Sequence, residues 1–178
     1  MALLAEEIVE EWLNRQGYFT IRGIKLGVHE IDLLAVKSQA KGSVECRHIE
    51  VQASMRPVSF ISKVPKKLQK AGRAANSASR SEAELVEGVA EWIETKFHRP
   101  QKKALMQSLW SGVWSSELVL NVVKSQREVQ LIQGHGIKVT QLNEIVASLA
   151  KDRGLVSSAA GADFIDLIHM GAYASDQT

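Results

Sequence analysis

Two acidic side chains stand at the start of an apolar segment in the first third of the chain. In the stretch HEIDLLAVK, Glu30 and Asp32 precede an apolar run at residues 33–36, and a third acid, Glu50, lies in VECRHIEVQAS. Carboxylates at the edge of an apolar sheet repel one another and lose hydration, so they require a compensating charge. A divalent cation with oxygen ligands supplies it, and Mg²⁺ typically takes one or two carboxylates with water and phosphate oxygens.

Strand alternation decides which of these side chains can meet. Glu30 and Asp32 are two residues apart, so they point to the same side of a strand. In the following segment Glu50 shares its face with three polar residues, which are His48, Gln52 and Ser54. If the two strands pair as a hairpin through the polar segment 38–43, Asp32 and Glu50 lie side by side. The sequence therefore predicts a carboxylate pair at one end of a hairpin.

A simpler interpretation of the same acids stays open. Glu30 and Asp32 could be solvated residues at the start of a strand, as most strand acids are. Glu50 could then pair with Arg47 or Lys25 as an ordinary ion pair. Under this interpretation the acids bind a structural ion or nothing.

The elements that would position these residues follow from periodicity. Apolar spacing predicts a helix over 3–16, strands over 18–22, 29–37 and 44–54, and helices starting near Pro65, after Ser81 and near Pro100. Strands at 117–123 and 137–142 alternate with helices, and a short amphipathic segment follows at 162–170. Ser81 with Glu84, and Ser125 with Glu128, have the spacing of a capping box. The pattern predicts an α/β fold with a mixed central β-sheet flanked by helices.

Size and composition restrict the protein class. The chain has 178 residues with 45% apolar and 24% charged content, which suits one folded domain. It contains no apolar run near the ~20 residues of a membrane span, so we expect no membrane partner. A single cysteine, Cys46, excludes an internal disulfide and a cysteine-rich metal site, and the default expectation is a cytoplasmic location.

Charge is distributed unevenly along the chain. The net charge is only +2, yet residues 55–80 hold seven basic residues and no acid. Such a segment is either a solvated helix face or a surface that contacts phosphate groups. The side chains assigned to nucleic-acid binding are Lys63, Lys66, Lys67, Lys70 and Arg73.

Three segments together resemble the PD-(D/E)xK nuclease superfamily. They are AEEIVEEWLNRQGY, GVHEIDLLAV and IEVQAS, which match a helix with a glutamate, a strand with an aspartate, and a strand with a Glu-x-Lys signature. The resemblance covers residues 5–54 and implies a restriction-endonuclease-like α-β-β-β-α-β core, here with a helical insertion. We therefore treat residues 1–178 as one nuclease-like domain, with a catalytic half at 1–56, a basic helical insertion at 57–115 and the remaining core at 116–178.

The resemblance also implies roles for individual residues. Asp32, Glu50 and the main-chain carbonyl of Val51 would hold Mg²⁺, with Mn²⁺ as a substitute. The helical glutamate is best matched by Glu6, which lies nearest the apolar stripe, with Glu7 or Glu10 as the fallback. Gln52 stands where the family usually has lysine, which changes a positive group into one that can only hydrogen-bond water or phosphate. Supporting positions on the same strand faces are Glu30, His48 and Ser54.

These expectations lead to one main functional hypothesis and one alternative. The main hypothesis is a metal-dependent DNA endonuclease that hydrolyses phosphodiester bonds. The alternative, which Gln52 favours, is a catalytically inactive nuclease fold that acts as a DNA-binding or assembly subunit. A homodimer would give two cuts on a duplex, but the sequence leaves the oligomeric state open. Trp92 lies on an apolar helix stripe and is assigned to the core.

Overall fold

The computed structural model describes residues 2–53 and 59–151 and places a five-stranded sheet at their centre. The strands are β1 (Phe19–Leu26), β2 (His29–Ser38), β3 (Val44–Gln52), β4 (Trp114–Leu120) and β5 (Lys138–Gln141), in the spatial order of their numbers. The first two pairings are antiparallel and the last two are parallel. The predicted mixed α/β fold is therefore confirmed, with strands from both ends of the chain in one sheet.

Helices cover both faces of this sheet. They are α1 (Ala2–Arg15), α2 (Lys66–Lys70), α3 (Glu82–Lys96), α4 (Pro100–Leu109), α5 (Gln126–Gly134) and α6 (Leu142–Lys151). One core joins α1 and α6 to strand residues such as Leu33, Ile49 and Val119. A second core joins α3 and α5 to Leu118 and Leu120. Because neighbouring strand residues alternate between these cores, each strand in the centre of the sheet is covered on both sides.

Two strand boundaries differ from the sequence prediction. Strand β1 continues through Gly23 to Leu26, because Gly23 adopts a positive φ of 66° inside the ladder, and the turn is confined to Gly27 and Val28. Strand β4 was expected over 117–123 but runs from Trp114 to Leu120. Its polar first half lies in the sheet because Trp114 pairs with Cys46 at the beginning of the parallel ladder.

The two expected capping boxes have different outcomes. At Ser81 the box is complete, since the Ser81 hydroxyl accepts from Glu84 N and the Glu84 carboxylate accepts from Ser81 N. At Ser125 only the serine half forms. The Glu128 carboxylate turns instead to the segment that precedes α2, where it accepts hydrogen bonds from Ile61 N at 2.6 Å and Ser62 N at 2.8 Å. This contact fixes residues 61–62 against α5.

Helix length and polarity also bear on membrane association. Within residues 2–53 and 59–151, none of the helices combines the length and apolar character that crossing a bilayer requires.

The amphipathic segment predicted at 162–170 lies outside the described residues, as do Ser54 and Arg56.

Candidate carboxylate centre and basic cleft

The predicted hairpin pairs β2 with β3 and brings Asp32 towards Glu50. The ladder runs from Ser38–Val44 to Leu33–Ile49, and one further step places Asp32 opposite Glu50. The ladder does not continue there, because the Asp32 carboxylate takes over as hydrogen-bond partner. Its Oδ2 accepts from Val51 N at 2.7 Å. The Val51 N–H thus ties Asp32 to β3, whereas the role of the Val51 carbonyl as a metal ligand stays a prediction.

Glu50 is the most heavily coordinated side chain of this centre. Its carboxylate is 1% exposed and has three partners. Lys102 Nζ lies 2.5 Å and His48 Nε2 lies 2.9 Å from Oε1, while Lys96 Nζ lies 3.0 Å from Oε2. The ordinary pairing of Glu50 with Arg47 or Lys25 is not what the structure shows, since Arg47 pairs with Glu117.

The two carboxylates differ in how well their charge is compensated. Burial first, and then the nearby charge of Glu50, raise the pKa of Asp32 to about 6 against the opposing effects of Val51 N and Lys96. Burial also acts to raise the pKa of Glu50, but the hydrogen bond from His48 and the charges of Lys96 and Lys102 outweigh it, so that pKa is lowered. Glu50 is therefore held ionised, whereas Asp32 forms no ion pair with a residue of the described ranges and is influenced by Lys96 only at longer range.

The remaining predicted acids approach the same centre. Glu6 is 9% exposed on α1, and burial raises its pKa, together with the charges of Glu30 and Glu50. Glu30 is exposed on β2. The fallback residues Glu7 and Glu10 both pair with Arg22, whereas Glu6 interacts electrostatically with Asp32 and Glu50.

His48 has a role in holding Glu50. Its ring is buried, packs against Phe97 at a centroid distance of 5.1 Å, and has a lowered pKa that results first from burial. A neutral imidazole must carry its proton on Nε2 to donate to the Glu50 carboxylate. Nδ1 is buried without a hydrogen-bond partner in the described structure. His48 therefore orients Glu50 and has no geometry for an independent metal site.

A cleft opens next to the carboxylate centre, between α3 and the segment that leads into α2. It encloses about 470 Å³. Lys96 lines this cleft and also forms an ion pair with Glu50. Its charged lining comprises Lys63, Lys66, Lys96 and Arg99 with one acid, Glu91. Gln52 is exposed at the end of β3 and lines the same cleft.

The predicted nucleic-acid-binding residues divide into two groups. Lys63 and Lys66 line the cleft, whereas Lys67 and Lys70 are exposed on the short helix α2 and are not part of its lining. Arg73 is committed elsewhere, because its guanidinium contacts the Glu84 carboxylate at 3.0 Å. The structure thus brings two of the five to the cleft.

Three basic residues of the site were not identified from the sequence. They are Lys96, Arg99 and Lys102. Residues 95–103 contain five basic or histidine side chains and no acid. This charge cluster was the feature of the sequence that could have identified them. Lys96 ends α3 and Lys102 lies in the first turns of α4, and the turn between the two helices directs both ammonium groups to Glu50.

The donor set determines which metal could fit. In the described part of the chain, no three or more His, Cys, Asp or Glu side chains are arranged to hold a metal ion. A closed structural site of the zinc type is therefore not formed by these residues. A pair of carboxylates with one under-compensated member suits Mg²⁺, which retains water and takes phosphate oxygens as further ligands.

Comparison with known proteins does not assign this chain to a family. No family model matches the chain, and no curated protein matches it. Among solved structures, the chain is similar to the crystal structure of AF1548, a protein of unknown function. The two share 14% identity at a TM-score of 0.45, over 83% of this chain and 65% of that one. The chain thus spans about two thirds of that protein's length.

Proposed function

We propose that the protein is a Mg²⁺-dependent nuclease that hydrolyses phosphodiester bonds in DNA. One observation carries this proposal. An under-compensated carboxylate, Asp32, lies beside Glu50, and Glu50 shares Lys96 with a basic cleft. A site for cation and phosphate is thus adjacent to a surface that attracts a polyanion. The resemblance of residues 5–54 to the PD-(D/E)xK superfamily supports the same reaction class.

The carboxylates would hold the metal, and this fits their chemistry. Asp32 and Glu50 would be its protein ligands, with the Val51 carbonyl in support. A bound Mg²⁺ supplies charge stabilisation at the phosphate and lowers the pKa of a coordinated water. Lys96 occupies Glu50 Oε2 in the free protein, and its side chain is 34% exposed, so it can turn towards a phosphate in the cleft. Burial acts to lower the pKa of Lys96, but Glu50 and Asp32 outweigh it and keep the ammonium charged.

Other residues of this chain position the reacting groups. Lys102 is 1% exposed and bound to both Glu50 and the Lys96 carbonyl, so it stays in place as a fixed counter-charge. The Lys96 ammonium group would supply the positive charge that Gln52 lacks, and Gln52 would orient water or phosphate by hydrogen bonds. Glu6 and Glu30 add negative charge around the metal and the water.

A second candidate function rests on a specific observation. Both Glu50 oxygens are already engaged by lysines, and Gln52 brings no charge. A centre neutralised in this way would bind a nucleic-acid backbone without cutting it. The alternative is therefore an inactive nuclease fold that serves as a DNA-binding or assembly subunit.

A divalent-metal cleavage assay separates the two functions. Linear, nicked, flapped and four-way DNA are incubated with the parent, with Asp32→Asn and with Glu87→Gln, an exposed acid on α3 that serves as control. The nuclease cleaves in Mg²⁺ or Mn²⁺, retains activity in the control and loses it in Asp32→Asn. Equal cleavage by Asp32→Asn and the parent would sink the proposal. Metal-independent binding without cleavage supports the inactive subunit.

A further inference from the structure

The basic cleft has a shape that restricts what can enter it. One wall is α3, with Gly88, Trp92 and Lys96, and the other is formed by residues 61–69. The walls meet at Gly88, where an added Cβ would lie 2.4 Å from the Lys63 carbonyl oxygen. The two walls therefore approach each other closely at Gly88, and Lys96 links the cleft to the carboxylate centre.

The size of the cleft favours a single chain over a duplex. About 470 Å³ lies within the range of roughly 300–1,000 Å³ that encloses small organic ligands, and it suits individual nucleotides. A double helix is too wide to enter and could only lie across the opening. The base pairs of a duplex are also stacked internally, so their faces would not reach the cleft wall.

The lining offers separate contacts for backbone and base. The charged lining consists of four cations and one acid, Glu91. The two carboxylate oxygens of Glu91 accept hydrogen bonds from Lys66 N at 3.0 and 3.2 Å. Lys63 and Lys66 are both exposed, and neither forms a salt bridge with a described residue. Trp92 is half-buried, braced edge-on against Phe97 at 5.9 Å, and forms part of the wall. A positive groove with an aromatic side chain is the pattern of single-strand binding.

We infer that the cleft binds an unpaired nucleic-acid strand, with its phosphates on Lys63 and Lys66 and a base against Trp92. This inference rests on the proposed function for the direction of the strand, which leads from the cleft to Glu50. It identifies the substrate class as single-stranded DNA or the unpaired arm of a branched DNA. Single-stranded RNA has the same phosphate and base chemistry, so the test includes it.

Fluorescence anisotropy in EDTA tests binding apart from cleavage. The probes are a labelled oligothymidylate, the matching oligouridylate and a duplex of equal length. The variants are Lys63→Ala with Lys66→Ala, and the matched control Lys67→Ala with Lys70→Ala on the same segment. All four lysines are exposed, so both variants should fold, which circular dichroism verifies.

We expect the parent to bind the single strand at least about tenfold more tightly than the duplex. The cleft variant should lose about tenfold in affinity. The slope of log K against log salt concentration should also become shallower by about 1.4, since each phosphate contact contributes roughly 0.7 for single strands. The control should stay within about twofold. Preference for the DNA or the RNA strand identifies the natural polymer.

Three results of the anisotropy measurement would overturn the inference. They are duplex binding as tight as single-strand binding, equal losses in the two double variants, and no loss in either. The proposed nuclease function fails separately. Single-strand binding without cleavage in Mg²⁺ or Mn²⁺ leaves the cleft assignment standing, whereas cleavage that depends on Asp32 but not on Lys63 and Lys66 removes only the cleft assignment.

Discussion

Two buried glutamates on adjacent strands, Glu50 on β3 and Glu117 on β4, have the same 1% exposure and opposite surroundings. In the parallel ladder Glu50 pairs with Leu118 and Glu117 pairs with Ile49, so the two carboxylates face opposite sides of the sheet. Glu117 is bonded to Arg47 and accepts from Thr140 Oγ1 at 2.5 Å. Arg47 in turn packs over the rings of Trp12 and Tyr18.

The contrast between these regions shows what distinguishes a candidate site from a structural ion pair. At Glu117 the nearer cation, Arg47, is nearly as buried as the acid and lies over aromatic rings, and the exposed Lys138 lies 3.5 Å from the other carboxylate oxygen. At Glu50 one of the two lysines is a third exposed and borders a cleft, and a second carboxylate, Asp32, lacks compensation. Buried charge alone therefore does not indicate function. The proposed function rests instead on the under-compensated Asp32 beside a cation that lines a cleft.

The largest expected effect separates the two glutamates by activity. Glu50→Gln should reduce cleavage by more than about 100-fold, because it removes a proposed metal ligand, while Glu117→Gln should retain turnover per folded molecule. Cleavage rates normalised to folded protein measure this. Since Glu50→Gln leaves the buried Lys102 without its counter-charge, the paired variant with Lys102→Met serves as the folded control. Similar losses at Glu50 and Glu117 would remove the distinction.

The next effect concerns the contribution of the buried Arg47–Glu117 ion pair to stability. Glu117→Gln should lower the free energy of unfolding by about 3–5 kcal/mol, because Arg47 stays buried without its counter-charge. Urea denaturation measures this loss. The double variant Arg47→Met with Glu117→Leu should recover much of it, since an apolar pair avoids the desolvation of both charges. No recovery in the double variant would mean that Arg47 stabilises mainly through its two aromatic rings.

A third effect depends on pH and isolates Asp32. Its folded pKa of about 6 exceeds the ordinary 3.8, so the stability it contributes is full below about pH 4 and is lost as pH rises through about 6. Asp32→Asn should therefore be more stable than the parent at pH 8, by about 3 kcal/mol, and equal to it near pH 4. Denaturation curves at both pH values measure the difference. A constant difference would contradict the raised pKa.

The smallest effect is expected at the shared lysine. Lys96→Gln keeps a polar side chain at a position that is a third exposed, so folding should change little. Cleavage should fall by about tenfold, within the 10–100-fold range for groups that support metal ligands. Steady-state rates at saturating Mg²⁺ measure the loss. Lys103→Gln, exposed on α4, is the control, and an equal effect there would indicate a general loss of positive field.

Local periodicity was enough to predict the part of the site that two strands form. The alternation in HEIDLLAVK and HIEVQ placed Asp32, Glu50 and Gln52 on common faces, and the hairpin pairing is confirmed. Lys96 and Lys102 could not be assigned in this way, because their approach depends on how the turn between α3 and α4 packs against β3. The same limit applies to α2, where Lys66 and Lys67 are neighbours in sequence but only Lys66 reaches the cleft.

The Ser125 segment shows a second reason why sequence patterns fail. Its spacing fits a capping box as well as that of Ser81 does, but only the Ser81 box is complete. Glu128 has stronger partners available in Ile61 and Ser62, which a local pattern does not reveal. The metal-dependent activity, the DNA partner and the roles of the site residues stay predictions.

The contact between Glu128 and residues 61–62 also sets an order of events during synthesis. Asp32 and Glu50 meet through a hairpin that is complete once residue 52 has emerged, whereas this wall of the cleft is secured by a partner 66 and 67 positions further along the chain. Chains fold from the N-terminus as they are made, and distant contacts form late. We therefore expect a nascent chain to contain the carboxylate pair well before the wall beside it is anchored.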